Sequence, residues 1–472
     1  MRIQSLLYAI AALLMLMLEN VSMAGTTQIA TLRLDYFHSG NAKTEHYALD
    51  RIVIEPLPWP GNPKKNLDNT NRGSHLFEVR DKQTGKLLYS RGFATVFGEW
   101  QSTDQANKLE RGFQESLRFP KPDAPVSVHV LKRDNHNQFQ LAWSIDVDPN
   151  AQQVIRHSAA PQFTPVLVHG DGKTQNKVDL LIIGDGYTKK EMTKFIRDAK
   201  RMSRYLFTVS PYKERSDDFN VWALAVPTLQ TGISRPSTGQ FHADSTGASY
   251  DIFGSERYVL TLDNRALREI AQNAPYEFIE ILVNNETYGG GGIFGQFSTA
   301  AANSDWANYL FVHEFGHHFA ALADEYYTSP VAYQTGADIL VEPWEPNVTA
   351  LKNPSQLKWR DLIQDGTAIP SSWPKERYEA IAREFQQTRA QLRKEQRPET
   401  EMSALFKKDL AETTELFSKD PNYNKIGAFE GANYEAKGYF RSQMQCLMFD
   451  RSEQFCQVCQ NAIHNIIDLY SR

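Results

Sequence analysis

Two histidines four residues apart with an acid beside the first, His313-Glu314-Phe315-Gly316-His317, are the part of this 472-residue sequence best equipped for chemistry. Apolar residues from Trp306 to Leu322 recur with helical spacing, and on a helix positions four apart face the same way. Two imidazole nitrogens can then grip one zinc ion at about 2.0–2.1 Å, while Glu314, one residue along, addresses the water such an ion holds. The implied reaction is hydrolysis: zinc acidifies the water and polarises a carbonyl, and the carboxylate carries the proton to a leaving amine. The five-residue pattern alone turns up by chance in roughly one or two of every hundred chains of this length, so a pair of core histidines is the reading it must displace. A credible helix and a following acidic pair, Asp324-Glu325, argue for the metal. His318 is turned by about 100° from His317 and is expected to pack or hydrogen-bond elsewhere.

A catalytic zinc needs a third protein ligand and an open fourth position. Asp324 and Glu325 are the nearest candidates. On an unbroken helix Asp324 would stand about 10 Å along the axis from His317, out of reach. The helix must therefore end soon after His317 and turn back, although Ala320 and Ala321 stand where a glycine would be expected. Asp324 is the preferred ligand; the alternative is a Glu from a later helix, such as Glu376, Glu379 or Glu384.

The elements that would position these groups fall into an α+β, multi-domain pattern. From residue 25 to 150, short alternating runs broken by turn signals predict an antiparallel β-sandwich-like domain, with Ile29–Tyr36, Leu76–Arg80, Leu87–Phe93 and Val126–Leu131 as strands. No His, Cys or paired-carboxylate concentration is read there. Residues 151–175, rich in Pro, Gln and Gly, read as a linker. From 176 to 472 the pattern is mixed α/β. Val178–Ile183 is a buried strand ending in Gly184-Asp185-Gly186, and Met192, Phe195, Ile196, Ala199, Met202 and Leu206 mark one helix face. Phe219–Val226 and Phe278–Val283 are further strands of the same sheet. Asp185 could bind a cation, but an ordinary turn is the simpler reading. The charged stretch 374–420, with Tyr378, Ile381, Phe385 and Leu392 on one stripe, predicts a helical insertion whose charges form a solvated face.

The run from His313 to Tyr326 resembles the signature of the IgA-peptidase-type metallopeptidases, the igalysins of the metzincin group. The likeness extends to Val178–Thr188, Asn284–Gly292, Cys446–Met448 and Phe455–Cys459, and residues 25–150 resemble the family's N-terminal β domain. This implies a zinc peptidase fold with one catalytic Zn2+. It also gives Met448 the role of the methionine turn beneath the metal-binding imidazoles; by chemistry alone Met448 is a buried gap-filler. The metzincin glycine three residues after the second His is Ala320 here, and an acidic residue one place later replaces the third His. A tyrosine that holds the oxyanion is implied, with Tyr326, Tyr327 and Tyr439 as candidates. Asn284, Asn285 and Tyr288 are expected either to line the substrate path by β-augmentation or to form plain loop.

Lys and Arg number 51 against 56 Asp and Glu, a net charge of -5 without a long basic block, which argues against a nucleic-acid partner on electrostatic grounds. Arg2 followed by the apolar run Leu6–Leu18, with small residues at Ser22 and Ala24, predicts a signal peptide over residues 1–24 and a secreted or periplasmic protein without a stable membrane span. Only Cys446, Cys456 and Cys459 occur. One disulfide among them with a thiol left over is one expectation; a structural zinc site would need a fourth ligand, for which His464 is the candidate. The function that follows is a metalloendopeptidase acting on protein or peptide. The alternative is a metal-containing binding protein, for glycan or protein, with an idle site.

Overall fold

A computed structural model of the chain describes residues 28–157, 161–329 and 341–471. The expected signal peptide lies outside the described residues. The N-terminal part is built from β1 (Ala30–Gly40), β2 (Glu45–Pro58), β3 (His75–Asp81), β4 (Leu87–Phe93), β5 (Arg111–Pro120), β6 (Val126–Arg133), β7 (Phe139–Val147) and β8 (Ile155–Arg156). They form two four-stranded sheets in the orders β5-β1-β2-β8 and β4-β3-β6-β7. In β6, Val126, Val128 and Val130 are buried while Ser127 and His129 are only half-buried, the alternation of a strand with one face on a core. That core also holds Leu32, Leu34, Tyr36, Phe77, Val79 and Phe119.

Strand β1 departs from alternation: Thr31, Arg33 and Asp35 are buried as well. The cause is the second part of the chain, which covers this face. Arg33 bonds Glu55 at 3.0 Å and Glu269 at 2.9 Å, and Arg118 donates to the Tyr276 carbonyl at 2.8 Å. A cluster not expected from the sequence also appears here, His38, Glu45 and His75. Its groups are committed to protein partners: Lys132 lies 2.7 Å from Glu45, and the other nitrogen of His38 lies 3.3 Å from Glu115.

The second part is organised on a six-stranded sheet: β9 (Val166–His169), β10 (Val178–Asp185), β11 (Phe219–Leu224), β14 (Phe278–Val283), β15 (Gly290–Ile293) and β16 (Phe297–Ala301), with the short pair β12 (Ala248–Ser249) and β13 (Leu260–Thr261) outside it. The order is β15-β16-β14-β10-β11-β9, parallel through its four central strands and antiparallel at both edges. Every residue of β10 is buried, as a continuous apolar run in the middle of a parallel sheet requires. Residues 151–175, read as a linker, in fact supply β8 to the sandwich and β9 to this sheet. Pairing of their backbone groups, invisible in composition, overrides the loop-like sequence. Asp185 accepts hydrogen bonds from Gly186, Ser245, Thr246 and Ala248, which saturates both its oxygens and makes it an anchor for this turn. Over 374–420 the chain forms two helices, Lys375–Lys394 and Glu399–Ser418, joined through Pro398.

Candidate metal centre and active site

The helix Ala307–Ala320 carries the motif and packs on β15 and β16. It stops where the chemistry needs it to. Ala321 adopts the left-handed conformation (φ 58°, ψ 35°), and its N–H bonds the Gly316 and His317 carbonyls. A left-handed alanine costs about 1–2 kcal/mol relative to glycine, so surrounding contacts must hold it there. One comes from the sandwich, where Arg72 donates to the Ala320 carbonyl at 3.0 Å and to that of Ala462 at 2.8 Å. Beyond the turn the chain runs back, and Asp324 meets the histidines.

Three ligand-type atoms converge there. The Nε2 atoms of His313 and His317 are 3.2 Å apart, and Asp324 Oδ1 lies 3.1 Å from the first and 3.3 Å from the second. A tetrahedral ion with arms of about 2.0–2.1 Å has edges of about 3.3–3.4 Å, so the triangle fits a zinc-sized cation. Asp324 Oδ1 is buried and, among the described residues, has no hydrogen bond of proper direction despite both short contacts. The ring orientations agree. His313 Nδ1 donates to the Leu447 carbonyl at 3.0 Å and His317 Nδ1 to that of Leu322 at 2.6 Å, which leaves both Nε2 atoms aimed at the centre. Burial works against a charge on Asp324, yet the adjoining His317 and His313 rings hold its carboxyl well below the usual range. In turn Asp324 outweighs burial at His317 and pushes that ring up to about 9. The cluster draws positive charge to itself.

Glu314 is half-buried beside this triangle. Burial, the largest influence, raises its carboxyl above the usual range although both histidines oppose the rise. Its side chain lies against β15, where a Cβ at Gly290 would come within 2.9 Å of Glu314 Cγ and one at Gly292 within 2.4 Å of the Glu314 carbonyl. Those two glycines let the edge strand approach the helix. The outer edge of β15 at Gly290 is already taken by backbone bonds to Arg257 and Val259.

The profile of the IgA Peptidase M64 family matches residues 166–467, and that of the Peptidase M64 N-terminus matches residues 24–144. The chain belongs to the IgA peptidase M64 family. It is therefore a peptidase, with protein or peptide as substrate. No curated protein matches the sequence. Among the described residues no helix is long and apolar enough to cross a membrane.

The other residues singled out in this M64 peptidase fall in different places. Met448 is fully buried under the helix, where a Cβ at Gly316 would meet its sulfur at 3.1 Å, and its carbonyl accepts from the Glu325 N–H at 2.8 Å. Asn284 is buried and internally committed: it accepts from Lys194 and Asn303 and donates to Gly186 and Glu191. Asn285 accepts from the Thr287 N–H, and the Tyr288 ring packs edge-on against Phe406 at 5.0 Å. Of the three tyrosines, Tyr326 faces the centre, its ring stacked 6.4 Å from that of His313. Tyr327 bonds Glu379, and Tyr439 bonds the Val341 carbonyl. Two neighbours escaped the sequence reading. Tyr434 donates to Asp324 Oδ2, and Arg257 donates to the Tyr326 oxygen at 3.0 Å. Both come from remote loops and carry no motif.

His318 packs away from the centre, as its angle on the helix requires. Its Nε2 accepts from the Ile279 N–H at 3.1 Å and its Nδ1 donates to the Ile293 carbonyl at 3.1 Å, so the ring is neutral, and burial pushes it down to about 3. In the unfolded chain this ring titrates near 6.5, so below that pH the unfolded state binds the extra proton. Stability should therefore fall as pH drops through the window from about 6.5 towards about 3, with a slope of about 1.4 kcal/mol per unit from this ring. Urea denaturation between about pH 6.5 and pH 5 checks this: His318→Gln should show a slope flatter by one proton, and equal slopes would refute it.

Proposed function

We propose that this peptidase is an exported, zinc-dependent endopeptidase, with His313, His317 and Asp324 holding one catalytic Zn2+ and Glu314 acting as general base. The carrying observation is the triangle of two Nε2 atoms and one buried carboxylate oxygen with edges of 3.1–3.3 Å. A bound zinc ion supplies Lewis acidity, lowering the pKa of water towards about 7 and polarising the scissile carbonyl. Glu314 takes the proton from the attacking water and delivers it to the leaving nitrogen, a task suited to a carboxyl whose pKa burial has raised. Tyr326 accepts from Arg257, which frees its own O–H to donate to the oxyanion of the tetrahedral intermediate. Residues 1–24 act as the export signal in this proposal, so the exported protein should begin at Gly25. The intact Glu314 speaks against an idle site serving only for binding.

Chelation tests the metal. With a denatured protein as substrate, 1,10-phenanthroline should lower turnover on the order of 10³-fold, and zinc should restore it. Undiminished hydrolysis by a chain shown to be metal-free would end the proposal.

A further inference from the structure

All three cysteines are buried, and none is in a disulfide. Their sulfurs gather around the carboxylate of Glu325, the four ligand atoms lying within 4.8 Å of one another. Cys446 Sγ is 3.7 Å from Cys459 Sγ, and Glu325 Oε1 is 3.2 Å from Cys459 Sγ and 3.8 Å from Cys456 Sγ. A tetrahedral zinc with Zn–S arms of about 2.3 Å and a Zn–O arm of about 2.1 Å has edges of about 3.8 Å between sulfurs and about 3.6 Å between sulfur and oxygen. A disulfide needs about 2.05 Å between sulfurs and would strand the third thiol against the carboxylate. His464, the fourth ligand considered from sequence, is instead directed at Arg215, 3.3 Å away.

Two of the three sulfurs, those of Cys446 and Cys456, stand where backbone N–H groups aim at them. The N–H groups of Met448 and Cys456 point at Cys446 Sγ (3.5 and 3.2 Å), the Cys459 N–H points at Cys456 Sγ (3.4 Å), and Ser442 Oγ lies 3.2 Å from Cys456 Sγ. Glu325 is fully buried; its Oε1 accepts from Asn347 at 2.9 Å, and its Oε2 has no hydrogen-bond partner among the described residues. A buried carboxylate with an orphaned oxygen, facing three thiols, costs several kcal/mol unless a proton or a cation compensates it.

We infer that Cys446, Cys456, Cys459 and Glu325 form a second, closed metal site that takes one Zn2+ in a structural role, distinct from the His313–His317–Asp324 centre. Four protein donors leave no open position, and the sulfur-rich set selects zinc over magnesium or calcium. Binding releases the thiol protons to solvent and forms three Zn–S bonds and one Zn–O bond, with no change of oxidation state. The location gives the ion a task. Glu325 follows the proposed ligand Asp324, Cys446 lies two residues before Met448, Cys456 immediately precedes the C-terminal helix Gln457–Ser471, and Cys459 lies in its first turn. One ion would bind together the returning segment, the turn beneath the active-site helix and the last helix.

Cobalt reports on this site without any substitution. The full chain, purified under thiol-protecting conditions, stripped and reloaded with Co2+, should show a thiolate-to-cobalt charge-transfer band in the near ultraviolet, which a His2Asp centre cannot produce. Metal analysis after zinc reloading should find two ions per chain, one in His313→Ala and one in Cys456→Ser. Absence of the charge-transfer band overturns the inference, as does a disulfide among Cys446, Cys456 and Cys459 in natively exported protein. Cys456→Ser retaining both ions would do the same. Should Cys456→Ser fail to fold, the cobalt spectrum of the unaltered chain still decides, and the His313→Ala count separates this site from the catalytic one.

Discussion

Glu314→Gln should lower turnover of a denatured protein substrate by about 10²–10⁴-fold while zinc content and folding stay unchanged. Gln keeps the length and shape of the side chain lodged against Gly290, where there is no room for a bulkier group. It removes only the capacity to take a proton. Because Glu314 lies beside the metal triangle and not in it, metal analysis should return the wild-type value. KM should move little, since the lost interaction belongs to the transition state more than to substrate binding. The pH profile offers a second readout. Burial raises the Glu314 carboxyl above its usual range, so the acid limb of kcat/KM should lie above the pH expected of an ordinary glutamate, and this limb should vanish in the variant. Wild-type rates in Glu314→Gln would remove the general-base assignment even if zinc were present.

Legibility in the sequence followed the range of the interactions. The pairing of His313 with His317 is set within one helical turn, and it stood out at once. The continuous apolar run that becomes β10 was equally plain, because a strand covered on both faces needs no polar alternation. The turn after the helix was legible only as a necessity. Ala321 has no intrinsic preference for left-handed backbone, and what holds it includes Arg72, almost 250 residues upstream. Separation along the chain also hid Arg257 and Tyr434, 69 and 110 residues from Tyr326 and Asp324, which reach the centre from loops without pattern. In the sequence Glu325 rivals Asp324 for one ion; the fold turns these adjacent side chains to opposite sides of an extended segment, sending one to the histidines and the other to the cysteines. Residues 151–175 look like a linker because two short edge strands of two and four residues leave almost no periodic signal.

Asp324→Ala should weaken zinc binding at the catalytic centre by more than about 100-fold, beyond the 10–100-fold typical of altering a group that merely supports a ligand. The carboxylate supplies the only full negative charge among the three donors, and Tyr434 on its other oxygen fixes its direction. Without it, two neutral imidazoles 3.2 Å apart remain, a pair that holds zinc poorly. Competition with a chromophoric chelator would measure the change, read on the metal whose loss abolishes hydrolysis. Glu379→Ala is the informative companion, since Glu379 was an alternative ligand from sequence and its carboxylate instead accepts from Tyr327. Its zinc affinity should match wild type. If Asp324→Ala kept tight zinc and full turnover while Glu379→Ala lost both, the third ligand would come from the helical insertion, and the returning segment after Ala321 would have no part in holding the metal.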